Sequence, residues 1–317
     1  MPDYGALLAD DMRAYIARGA AFYPPNAVDL SIPQQRAVYN AMCAAFHAGR
    51  PAGVQTWDED HGGVPCRRYE SGAQEVTLIY YHGGGFVVGG LHSHDDVCAE
   101  ICARAGVRVI SVDYALAPEH VFPACYTDAH AAFEAIAGAY PGPLLMAGDS
   151  AGGTLAAAVT HHARARVAGM VMIYPGLGGD MTRGSYVEHA EAPELTTRDM
   201  AFYRQLRMGG AEAPTGDPRF APLQDSDFSG LPPTVIVTAQ CDPLSSDGES
   251  YRDAILAAGG RAAWTEVPGT VHGGLRSRHM TVQGAVFFER VIDAVAALAD
   301  GQDVADGQDV GDGQDVG

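Results

Sequence analysis

An α/β fold with a mainly parallel sheet covered by helices on both faces is what this sequence predicts, and three observations predict it. Strand-length apolar runs at residues 64–69, 75–81, 107–112, 168–174, 234–239 and 262–267 alternate with helical patterns, the order that crossover connections require. Several of these runs are apolar without alternation, as in strands buried on both faces. The third observation is the stretch 144–153, where an apolar strand, Leu144-Leu145-Met146-Ala147, runs into Gly148-Asp149-Ser150-Ala151-Gly152-Gly153 and then into good helix formers, Thr154 to Val159.

The elements follow in order. Residues 1–50 carry helical spacing, first at Leu7, Leu8, Met12 and Ile16, then at Val38, Ala41, Met42, Ala45 and Phe46 after a break at Pro24-Pro25. They precede the first convincing strand and read either as a lid or as packed decoration. A catalytic domain is expected over 51–300, its strand pattern starting at about residue 54. Helices are expected over 97–105, 128–139, 247–258 and 281–298. Residues 178–222 break the alternation as an insertion, and within them 199–208 is amphipathic, a segment able to cover a site together with the N-terminal helices. Residues 301–317 repeat Gly-Gln-Asp-Val at a period of six and are expected to be a disordered tail. The nine-residue period of calcium-binding repeats is not theirs.

Composition excludes several roles. The net charge is −19, and −14 without the five aspartates of the tail, whereas a nucleic-acid partner calls for a basic patch. Nothing reaches the length of a membrane span, and the start lacks the pattern of a secretory signal, so a cytoplasmic protein is expected. Six cysteines form no Cys-x-x-Cys pair and read as reduced, buried filler.

Gly148-Asp149-Ser150-Ala151-Gly152 reads as a nucleophile elbow, in which a serine sits on the sharp turn between strand and helix. A serine hydroxyl needs a base within hydrogen-bond reach and an acid to orient that base. On such a sheet the chain order is serine, acid, histidine. Asp242 lies just past one predicted strand and His272 just past the next, so Ser150, Asp242 and His272 are the candidate triad. Asp247 is the rival acid, but Ser246-Asp247-Gly248-Glu249 reads as a capping box that places it in the first turn of a helix. His279 lies toward the last helix, and His161 and His162 lie away from the catalytic end of theirs. His92, His94, Asp95 and Asp96 resemble a metal cluster but read as an exposed helix cap, and neither a metal nor an organic cofactor is expected. Acyl transfer also needs amides facing the developing oxyanion. Gly84 and Gly85 after the strong strand, with Gly83 in reserve, and Ala151 after the serine are the candidate donors. The lysine of a phosphate loop is missing from this glycine-rich segment.

His82-Gly83-Gly84-Gly85-Phe86, the elbow, and Asp113-Tyr114-Ala115-Leu116-Ala117-Pro118-Glu119-His120 together resemble the hormone-sensitive-lipase-like (bacterial family IV) carboxylesterases. The resemblance covers residues 76–298 and implies an α/β-hydrolase fold with a helical cap made from N-terminal cap helices at 1–50 and a cap insertion at 178–222, a triad at Ser150, Asp242 and His272, and hydrolysis of a small-molecule ester. An amidase or formamidase would use the same triad. The plant gibberellin receptors, which resemble the family, lack the histidine that this chain keeps as His272. Family members often dimerise, which leaves a homodimer open. Ala115 stands where the family often has arginine, so an ion pair made there is in doubt. Phe22, Tyr23, Phe202, Tyr203 and Leu206 suggest a closed apolar pocket for short acyl groups.

Overall fold

The computed structural model describes residues 2–24 and 30–302; the tail repeats lie almost wholly outside that range. Three N-terminal helices, α1 (Tyr4–Leu7), α2 (Asp10–Ala20) and α3 (Ile32–Phe46), precede a hairpin of β1 (Gln55–His61) and β2 (Val64–Glu70). Then come β3 (Thr77–Tyr81), α4 (Asp95–Ala105), β4 (Arg108–Val112), α5 (Ala124–Ala139), β5 (Leu144–Asp149), α6 (Ala151–Ala163) and β6 (Gly169–Ile173). The insertion carries α7 (Ser185–Glu188) and α8 (Thr197–Met208). The chain closes with β7 (Thr234–Cys241), α9 (Ser245–Ala257), β8 (Ala262–Val271) and α10 (Val282–Ala299).

The eight strands form one sheet in the order β1-β2-β4-β3-β5-β6-β7-β8. Only the pairings of β1 with β2 and of β2 with β4 are antiparallel. The interior strands bury side chains of both parities. Ile79, Tyr81, Met146, Met170, Met172 and Ile236 join a core with α5, α6 and α9. Leu78, Tyr80, Leu145, Val171, Ile173, Val235 and Val237 join a second core with α4 and α10 on the other face. That is the physical meaning of apolar runs without alternation. Among the described residues no helix is long and apolar enough to cross a membrane.

Two elements depart from their sequence signals. β1, Gln-Thr-Trp-Asp-Glu-Asp-His, has no apolar alternation because it is a sheet edge held by charge. Asp58 sits opposite Arg67 and receives its guanidinium, and Glu59 receives Arg68. β8 extends beyond residue 267 to Val271, because a register irregularity after Ala239 lets pairing resume at Cys241 and Val271. Asp242 and His272 are therefore the next residues on two neighbouring strands, carried side by side out of the sheet.

The elbow is set by close backbone approach. A Cβ on Gly152 would lie 1.9 Å from the Tyr81 carbonyl oxygen, and one on Gly148 would lie 2.4 Å from Gly152 backbone. Both glycines are needed to lay the start of α6 across β3 and β5. Gly152→Ala should therefore lower the unfolding free energy by about 3 kcal/mol, or prevent soluble expression. An unchanged urea midpoint would show that this approach is not tight.

Candidate active site

Ser150 is the single residue between β5 and α6, and its backbone takes φ 54°, ψ −118°, a region that L-residues seldom occupy. Its amide donates to the Ile173 carbonyl at 2.9 Å, which anchors the strained turn to β6. The hydroxyl Oγ lies 2.9 Å from His272 Nε2, and His272 Nδ1 lies 2.7 Å from Asp242 Oδ2. Asp242 is fully buried, and its other oxygen accepts the Leu244 amide at 2.9 Å. The structure thus brings all three candidate residues into one hydrogen-bonded chain. From α2, Tyr15 donates to the Gly273 carbonyl, tying the histidine loop to the N-terminal helices.

Gly84 and Gly85 line the space in front of Ser150, with backbone φ of 125° and 60°. Among the described residues no acceptor takes the amides of Gly84, Gly85 or Ala151. Gly83 is corrected out of the donor set: its amide is already committed to Asp149 Oδ1 at 2.8 Å. Asp149 also accepts the Tyr80 hydroxyl and meets His94 Nε2 at 3.2 Å. Burial alone would raise its pKa, but His94 and Arg276 hold the carboxyl well below its ordinary range. The variable residue of the elbow motif therefore fastens the glycine loop to the serine turn. His82 is buried and stacked on Tyr114 at 4.4 Å; burial and His94 push it down to about 4, so it is neutral.

Two cavities meet at Ser150. One, of about 170 Å³, is walled by Phe86, Met181, Leu195, Met200, Phe220 and Leu244 and includes Arg204 and Arg207 of α8. The other, of about 150 Å³, contains His272, Glu194, Arg276 and Tyr15, Tyr23 and Tyr39 from the N-terminal helices. Of the five side chains proposed to shape an apolar pocket, only Tyr23 and Tyr203 reach these cavities. Phe22 packs on Phe46, Leu206 packs with Val87, Val88 and Ala117, and Phe202 is exposed. The space is also more polar than that expectation.

Glu194 gives no signal in the sequence. It adopts φ 71°, and no hydrogen bond or ion pair to its carboxyl is found among the described residues. Desolvation pushes it up to about 7, against the pull of His272 and Arg276. Desolvation also works to lower His272, but the Asp242 carboxylate outweighs it, with Asp149 and Glu194 adding. The imidazole therefore sits above its ordinary 6.5. Glu119 is held by Arg36 of α3 at 2.7 Å.

Residues 78–276 match the model of a family described as having the α/β-hydrolase fold. The chain is similar to the carboxylic ester hydrolase LipN of Mycobacterium tuberculosis, 34% identical over 292 residues that span 86% of this chain and 77% of that one. It is similar also to the esterase LipI of the same organism, 36% identical over 70% of this chain and 69% of that one. Among solved structures, the ester-hydrolase EH1AB1 from the metagenome of Lake Arreo superposes with a TM-score of 0.82 at 31% identity, covering 92% of this chain and 98% of that one. The hyperthermophilic esterase of the archaeon Pyrobaculum calidifontis gives 0.82 at 30% identity, covering 92% and 99%.

Two readings of polar clusters are corrected. His94, Asp95 and Asp96 are buried rather than an exposed cap. Asp95 receives Arg50, Arg67 and Tyr69, and Asp96 receives Arg278 at 2.5 Å. Asp247 does lie in the first turn of α9, but there is no capping box, and the N-cap position is Leu244. Its buried carboxyl reaches across to the loop after β6, accepting the amides of Leu177, Gly178 and Gly179 and the hydroxyl of Tyr186. Burial pushes it up to about 6 in spite of those four donors. Asp247→Ala should orphan the donors and lower stability by about 3 kcal/mol. A thermal melt within a degree of the parent would show that water replaces the carboxylate.

Proposed function

The chain belongs to the α/β-hydrolase-fold family, among the hormone-sensitive-lipase-like ester hydrolases, and from that premise we propose that it is a serine carboxylesterase cleaving short-chain esters through an acyl-enzyme on Ser150. The observation that carries this reading is the unbroken chain from Ser150 Oγ through His272 to the buried Asp242. Ser150 Oγ attacks the ester carbonyl carbon while His272 Nε2 takes its proton, and Asp242 holds the imidazole tautomer and balances its charge. The carbonyl oxygen becomes an oxyanion facing the amides of Gly84, Gly85 and Ala151. The carbon–oxygen bond to the alcohol then breaks, and the leaving oxygen takes the proton from His272. Water attacks the acyl-enzyme, gives its proton to His272, and Ser150 recovers it as the acid leaves. The cavity that contains His272 is the natural place for the alcohol, whose oxygen must meet Nε2. The other cavity then holds the acyl group, and its small volume favours a short one.

The N-terminal helices and the insertion act as a cap in this reading. Both supply walls: Tyr15, Tyr23 and Tyr39 from the first, Glu194, Leu195 and Tyr203 from the second. Tyr4 Oη and His189 Nδ1 join the two at 3.2 Å.

Ser150→Ala should lower kcat for p-nitrophenyl butyrate by about 10⁴-fold or more, and a phosphonate should label Ser150 in the parent only. Retained turnover in the variant would overturn the reading. The base must be neutral, so kcat/KM should fall with decreasing pH, with a midpoint above 6.5 because His272 is raised. Glu194→Gln should move that midpoint down, since it removes a negative neighbour of the imidazole. An unmoved midpoint would separate Glu194 from the base.

A further inference from the structure

Arg207 is a buried cation without an anion. It is 5% exposed, yet no carboxylate lies within ion-pair distance among the described residues. Its guanidinium is packed 3.8 Å from the ring centre of Phe86 and 4.2 Å from that of Phe220, and two of its nitrogens donate to the carbonyls of Phe220 and Arg219. The Nε–H has no oxygen or nitrogen acceptor among the described residues, and the guanidinium also meets the thiol-bearing side chain of Cys125. Asp217, the carboxylate that it feels at longer range, is already held by Arg219 at 2.8 Å. One turn earlier on the same helix, Arg204 lines the same cavity and likewise meets no carboxylate among the described residues. This happens in a chain with 39 acidic residues against 20 basic ones, where arginines such as Arg36, Arg50, Arg67 and Arg278 all found partners. A buried guanidinium with an unused donor is costly unless something supplies the missing charge.

We propose that the acyl cavity is an anion-accepting subsite, in which Arg207, with Arg204 beside it, receives a carboxylate at the far end of the acyl chain. The preferred substrates are then half-esters of short dicarboxylic acids. The apolar walls at Met181, Leu195, Met200 and Leu244 take the methylenes between the two ends, while Ser150 at the cavity mouth takes the ester carbonyl. The aromatic stack fixes the plane of the guanidinium, so little freedom is lost when the carboxylate arrives. This deepens the carboxylesterase reading and rests on it.

The test compares monoethyl glutarate with ethyl 5-methylhexanoate, in which an isopropyl group replaces the carboxylate at equal length, by ethanol release. The parent should favour the half-ester in kcat/KM. Arg207→Met and Arg204→Gln should each lower the ratio of the two values, Arg207→Met by about tenfold or more, and Arg207→Lys should restore part of it. Arg204 is exposed, so its variant remains informative if Arg207→Met does not fold. A parent that prefers the neutral ester, or a ratio that neither variant moves, overturns the subsite while leaving the esterase standing. If neither ester is cleaved, the esterase reading falls, and the subsite is judged by glutarate binding alone. Stabilisation of the parent but not of Arg204→Gln in a thermal melt supports it, and equal or absent stabilisation overturns it.

Discussion

The contact on which the site depends is the passage of Gly152 over the carbonyl of Tyr81. It allows α6 to start directly above β3, and it forces Ser150 into a backbone conformation that would relax if the helix could lift. The bond from the Ser150 amide to Ile173 closes the turn from the other side. Asp149 then connects this turn to the glycine loop through the Gly83 amide, so the hydroxyl and the free amides of Gly84 and Gly85 are held by one buried carboxylate. Strain at the serine, donor placement and burial of charge are parts of a single arrangement.

The second half of the site is positioned by strand register. Pairing of Cys241 with Val271 carries Asp242 and His272 off the sheet next to each other, and the irregularity behind them absorbs the extra residues of β8. A one-residue slip in this pairing would change the face on which each successive side chain projects. The irregularity therefore does as much for the geometry of the imidazole as the Asp242 carboxylate itself.

This division explains what was legible in the sequence. The alternating elements, the serine turn and the residues just past β7 and β8 could be read because local composition and chain order determine them. Asp149 was in plain view inside the motif, but its role depends on Tyr80, Gly83 and His94 converging from three other segments. Asp247 sits where a helix-capping acid belongs, and only the loop at residues 177–179 shows that it faces elsewhere. Arg207 looked like one more polar position on an amphipathic segment, because helical spacing gives the face of a helix and not what covers it. The hidden contacts are long-range and polar, the class that neither periodicity nor propensity encodes.

The two cavities differ in chemistry on either side of one hydroxyl, with Arg204 and Arg207 in the one proposed to take the acyl group and Glu194 beside Arg276 in the one that holds His272. On a chain of net charge −19, an anionic substrate is repelled at distance, although screening confines that repulsion to within about 10 Å at moderate salt. Recognition of a carboxylate must then come from a short-range, partly desolvated contact rather than from the field of the whole protein. Burial of Arg207 between aromatic rings meets that requirement, because the same exclusion of water that makes its lone charge costly strengthens its attraction for a carboxylate. Glu194, on the other side, adds to the basicity of His272 from within the cavity that the two share. A net acidic chain, two arginines in one cavity and a carboxyl beside the base are in this sense complementary, each placing charge at a different distance from Ser150.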